Sequence, residues 1–194
     1  ADRNVDRVIF GWAMPASMTQ FFNPFFIIVF GSIFSVMWVK LSKIGKNPSI
    51  PLKFCFGIVQ LALGFLVTKV GFQFVNESFQ VPLLTLVFLY MLHTTGELFL
   101  SPIGLSMVTK LSPKSMSGTA MGAWFLSFAI ANYVGGKIAS ITGGHGGSGE
   151  ELSIGEGLNQ YLEIFSNIGY VLLAIALVIF LLNKPIKKLM HGVE

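Results

Sequence analysis

PLLTLVFLYMLHTTGELFLSPIGLSMVTK, residues 82–110, is the stretch on which the fold turns. It exceeds the roughly 20 residues that a helix needs to cross a hydrocarbon core about 30 Å thick. Before Lys110 closes it, its only acidic residue is Glu97. Lys110 stands 13 residues beyond Glu97, about 20 Å along a helix rising 1.5 Å per residue, so the carboxylate is expected near the middle of a membrane. An ionised side chain at that depth costs about 2.5–3.5 kcal/mol on insertion scales, and such residues usually face a water-filled pathway.

The rest of the 194-residue chain suits the same solvent. Hydrophobic residues make up 53% and charged residues 11%, against about 25% charged in an ordinary soluble domain, and the mean hydropathy is +0.72. Five stretches read as membrane spans: Ala16 to Val39, Pro51 to Gly71, Pro82 to Thr109, Gly118 to Ile141 and Asn159 to Leu182. The fold class is therefore an all-α membrane protein. A formal charge of +4 raises the question of nucleic acid. The cations, however, sit between apolar blocks and form no continuous basic stripe. Cys55, the only cysteine, rules out an intrachain disulfide, has no local histidine partner and receives no role. The start, ADRNVDR, lacks a basic segment, apolar run and cleavage site, so no signal peptide is read. It is expected to be an internal beginning.

Connecting segments set the expected orientation, because cytoplasmic loops collect Lys and Arg. Lys40, Lys43, Lys46 and Lys53 flank the first connection, Lys110 and Lys114 the third, and Lys184, Lys187 and Lys188 mark the tail. Glu77 lies in the second connection, and Glu150, Glu151 and Glu156 in the fourth. This alternation puts the C-terminus in the cytoplasm and Ala1 outside, leaving Arg3 and Arg7 on the outer side against the rule. The run Gly143 to Gly149, with His145 inside it, lacks the strand and helix that give a phosphate-binding loop its meaning. It is expected to be an outer linker.

Small residues indicate where helices meet. Gly57, Gly64 and Gly71 recur every seven residues, and Gly118 and Gly122 form a small-x-x-x-small pair; both patterns admit close helix approach. Pro24 and Pro102 are each expected to bend a helix.

Chemistry centres on Glu97. Burial without a partner raises a carboxyl pKa and a nearby cation lowers it, so a Glu alternating between those settings can take up and release a proton. The other reading is a carboxylate held only for packing. His93 and Ser101 lie four residues to either side, on one helical stripe with it. His93 reads as a packed or hydrogen-bonded histidine, with a proton-carrying role left open by its near-neutral reference pKa. Two ligands make no metal site. Asn23 can offer donor and acceptor to a peptide-like ligand or bond between helices. Trp124 fits an interfacial anchor or the wall of a substrate pocket. Asn132 is a packing candidate, and Lys137 is expected to snorkel.

GELFLSPIGLSMVT, from Gly96 to Thr109, followed by MGAWFLSFAIANYVGGKIA, resembles the signature region of the proton-dependent oligopeptide transporter family. The opening ADRNVDR, FGW, PAS and FFNPFFII resembles that family's segment from the end of its seventh helix into its eighth. The resemblance covers almost the whole chain and makes the five spans helices eight to twelve. It implies part of the C-terminal six-helix bundle of a major facilitator superfamily fold, moving di- and tripeptides inward with protons, in the cell inner membrane. Glu97 would hold the peptide's amino terminus and take part in an inner gate, Ser101 would line the same pocket, Asn23 would hydrogen-bond the peptide backbone, and Trp124 would shape a side-chain pocket. No cofactor is implied beyond the coupling proton. The family's ExxER motif and the cations for the peptide carboxylate belong to its first bundle, which is absent here, so this chain is not expected to transport alone. Alternatives are carriage of nitrate or another small solute on the same fold, and a noncatalytic membrane scaffold. An intramembrane enzyme using His93 and Glu97 lacks a nucleophile or metal set.

Overall fold

The computed structural model of the protein describes residues 4–142 and 153–191. Its long elements are the helices α1 (Phe22–Lys43), α2 (Ile50–Phe72), α3 (Leu83–Leu111), α4 (Ser117–Thr142) and α5 (Ile154–Leu189). Among the described residues, four segments are long and apolar enough to cross a membrane: Ala16–Lys43, Ile50–Phe72, Leu83–Leu111 and Ile154–Leu189. The expected fourth span falls on α4, which has the length but not the apolarity of the others. Gly118, Thr119, Gly122, Ser127, Asn132, Gly135, Gly136 and Lys137 dilute it.

Pro24 lies near the junction of two helix types. The chain enters as a 3-10 helix, Ala16–Phe21, that runs directly into α1, and Pro24 stands in the first turn of α1, just past this change of helix type. Pro102 lies inside α3. At the start of α5, Ser153 and Glu156 form a reciprocal capping box, which satisfies otherwise orphaned N–H groups.

α2 is the hub, packed against α3 on one side and α5 on the other. Glycine makes this possible, since an ideal Cβ at Gly96 would stand 2.7 Å from the Gly57 carbonyl oxygen, and one at Gly57 would stand 2.9 Å from that of Gly96. The backbones of α2 and α3 are thus in direct contact there. Gly64 meets His93 and Gly71 meets Thr85 along the same seam. On the other flank Gly169 lies against Leu66 and the Ala62 carbonyl. The seven-residue spacing is borne out as a packing face. Gly118 and Gly122 are not: neither meets a neighbour within 4 Å among the described residues, because α4 touches the bundle elsewhere.

The helix ends sort into two sets. At one end, β1 (Val5–Asp6) pairs in parallel with β4 (Val81–Pro82), and Asn4 Nδ2 donates to the carbonyls of Phe79 and Ile154, both at 3.3 Å. This ties the N-terminal segment to the α2–α3 connection and the start of α5. A hairpin follows, β2 (Val8–Ile9) with β3 (Trp12–Ala13). Its turn residues, Phe10 at φ 49° and Gly11 at φ 82°, supply the two positive φ angles that tight hairpins require. Arg7 closes it, donating from Nη1 to the Met14 carbonyl at 2.6 Å, which gives this arginine a structural use. At the other end, Ser49 donates to Asn183 Oδ1 at 2.7 Å, joining the start of α2 to the lysine-rich end of α5. The glycine-rich run 143–149 lies outside the described residues.

Candidate functional site

α3 carries the site. Glu97 lies 14 residues from Leu83 and 14 from Leu111, at the helix centre, about 21 Å from either end by helix rise. Its side chain is exposed and makes no hydrogen bond or ion pair among the described residues. One residue earlier, Gly96 lies in the α2 seam. The turn of about 100° per residue therefore carries Glu97 off that seam.

Two other helices meet α3 on either side of Glu97. Three residues before it, the Thr94 hydroxyl donates to Asn23 Oδ1 of α1 at 3.4 Å. Seven residues after it, Gly104 accommodates the Trp124 ring of α4, since a Cβ at Gly104 would stand 2.6 Å from Cζ2 of that ring and 3.1 Å from Phe54 Cζ. By helix rise these contacts lie about 4.5 Å and 10.5 Å from Glu97 along the axis. Ser101, half-buried, falls between Glu97 and the Trp124 contact. Asn23 and Trp124 are both half-buried, each with part of its surface available.

His93 goes elsewhere. Its ring packs against Gly64 and, at 4.5 Å between centroids, against Phe65. Its Nε2 is buried without a hydrogen-bond partner among the described residues. The sequence spacing puts His93 and Glu97 on one stripe, whereas the folded helix turns His93 into the α2 seam and leaves Glu97 outside it. Asn132 bonds its own helix, from Nδ2 to the Phe128 carbonyl at 2.8 Å, and Lys137 reaches back over the Tyr133 ring at 5.8 Å. Neither joins the site.

Thr94 is the residue that sequence reasoning misses. It is 1% exposed, yet nothing local separates it from Thr95, whose hydroxyl donates back to the Met91 carbonyl at 2.8 Å, as helical threonines commonly do. Only the packing of α1 on α3 distinguishes the two.

Four apolar helical segments of spanning length among the described residues define a multi-span integral membrane protein. Residues 1–152 match the sequence model of the POT family, and the chain belongs to that family. Dipeptide and tripeptide permease A of Edwardsiella piscicida is 37% identical over 185 residues, covering 95% of this chain and 36% of the permease. Dipeptide and tripeptide permease B of Xenorhabdus bovienii is 32% identical over 191 residues, covering 98% of this chain and 38% of the permease. A crystal structure of peptide transporter POT in complex with sulfate superposes with a TM-score of 0.81 at 32% identity, covering 98% of this chain and 35% of that one. The chain thus spans little more than a third of the length of the relatives it matches. The family resemblance carried by GELFLSPIGLSMVT is borne out.

Proposed function

We propose that this chain forms part of the C-terminal bundle of a proton-coupled di- and tripeptide symporter of the inner membrane, with Glu97 as its central ligand to the peptide. The observation that carries this reading is Glu97, exposed at the centre of α3 and without a partner among the described residues, bracketed by the α1 contact through Asn23 and the α4 contact through Trp124. A peptide zwitterion brought into a low-dielectric cavity needs an anion for its ammonium group and hydrogen bonds for its amide, or its desolvation is uncompensated. Glu97 supplies the anion through charge-assisted bonds, Asn23 and Ser101 supply the hydrogen bonds, and Trp124 supplies a flat apolar wall for a side chain. The polar and glycine residues that dilute α4 are those a fifth, cavity-lining span can carry. Protonation of Glu97 neutralises the peptide's partner, which links proton uptake to release. A membrane potential adds about 2.3 kcal/mol per charge per 100 mV, and the rocking of two bundles around a central site converts it to transport. The lysines at one set of helix ends support a cytoplasmic C-terminus.

In a full-length transporter reconstituted in liposomes, Glu97→Gln keeps the shape and removes the charge. Loss of a hydrogen bond to a charged group, about 1.5–3 kcal/mol, predicts a fall of tenfold or more in proton-driven dipeptide uptake. Undiminished uptake refutes the role.

A further inference from the structure

The interface between α1 and α3 is built from aromatic rings. Phe22 meets Tyr90 at 6.1 Å between centroids, and Phe34 and Trp38 meet Phe99 at 5.0 and 5.1 Å. The Thr94–Asn23 hydrogen bond stands inside this apolar contact. Thr94 is fully buried, and its hydroxyl forgoes the backward bond that Thr95 makes in the next position. Among the described residues, Asn23 is its one partner.

A carboxamide has an acceptor end and a donor end of nearly the same shape, and a half-turn exchanges them. With Oδ1 of Asn23 occupied by Thr94, Nδ2 keeps both its N–H groups, and no described residue accepts from them. We infer that Thr94 is a positioning residue for substrate recognition: it anchors the Asn23 amide against α3, so that the N–H groups left over are held where a ligand with an acceptor, such as a peptide carbonyl, can take them. This deepens the peptide reading above and rests on it. Without the hydroxyl the Asn23 amide loses its anchor, and part of the population holds its donors away from the substrate carbonyl.

The test is dipeptide uptake by the full-length transporter in liposomes, with KM and kcat measured separately. Thr94→Val, nearly isosteric, is expected to raise KM about five- to tenfold, the worth of about one neutral hydrogen bond, with kcat within twofold, as loss of uniform binding requires. Thr94→Ala, which also lacks the hydroxyl and adds no bulk, is expected to show the same shift. Thr94→Ser restores the donor and is expected to restore KM. In an Asn23→Ala background, Thr94→Val is expected to cost nothing further. An unchanged KM in both hydroxyl-less variants, a Thr94→Ser that fails as they do, or a full additional loss on top of Asn23→Ala each overturns the assignment. Absence of dipeptide uptake by the wild type overturns the peptide reading itself, a separate result from wild-type uptake with an indifferent Thr94.

Discussion

Adding one methyl group at Gly64 should destabilise the wild-type protein and stabilise a His93→Ala variant. A Cβ at Gly64 would stand 2.7 Å from His93 Nε2 and closer still to Cδ2. The ring has little room to retreat, because Phe65 lies against it at 4.5 Å and is itself held by Phe165 at 5.4 Å. Overpacking of this kind costs about 1–3 kcal/mol, of which about 1 kcal/mol is returned because alanine is the better helix former. Gly64→Ala alone is therefore expected to lose roughly 1 kcal/mol by this balance. His93→Ala empties the site and costs about 2–4 kcal/mol as a large-to-small change. In that background the new methyl enters vacated space, the clash disappears, and the helix gain of about 1 kcal/mol remains. Thermal unfolding of the full-length protein in detergent reads all four members of the cycle, with apparent Tm falling for Gly64→Ala in the wild type and rising for it in His93→Ala. Equal shifts in both backgrounds, with coupling below about 0.5 kcal/mol, would refute the direct α2–α3 contact and the seam built on Gly57, Gly64 and Gly71.

Cys55 is buried, and its thiol donates to the Ala176 carbonyl at 3.3 Å, so a membrane-impermeant maleimide should leave the folded wild type unlabelled. Placed in a Cys55→Ser background, Ser101→Cys should label, and dipeptide should slow it. A Ser101→Cys as inert as Cys55 would remove the aqueous pathway. Ser49→Ala deletes the donor to Asn183 between α2 and α5 and should cost about 1 kcal/mol, seen as a lower apparent Tm with dipeptide KM unchanged.

Much of the fold was legible because the bilayer allows few solutions. An apolar run that must satisfy its own backbone becomes a helix, and the runs around Gly57, Gly96 and Gly169 did so with boundaries within a few residues of those expected, apart from the longer α5. The first span was harder to read, since nothing local says that it begins as a 3-10 helix at Ala16 and becomes α-helical only at Phe22, two residues before Pro24. The glycine pairs show the same limit. Gly64 and Gly122 sit in similar patterns, but among the described residues Gly64 has a helix opposite it and Gly122 has none, and no local signal says which helix will arrive. The site was partly legible for the same reason: an acidic residue at mid-span is rare enough to stand out, whereas Thr94 is ordinary in sequence.

By itself the sequence determined that the chain lives in a membrane, which lysines collect at one set of helix ends, that Glu97 lies at the middle of its helix, and which family the chain belongs to. These follow from composition, length and short motifs, all properties of one segment at a time. The tertiary structure decided that His93 turns into the α2 seam while Glu97 stays outside it, that Asn23 is held by Thr94, and that Trp124 rests on Gly104. Each of these depends on how helices distant in sequence meet, at glycines for His93 and Trp124 and among aromatic rings for Asn23, and such meetings are a property of the packed bundle.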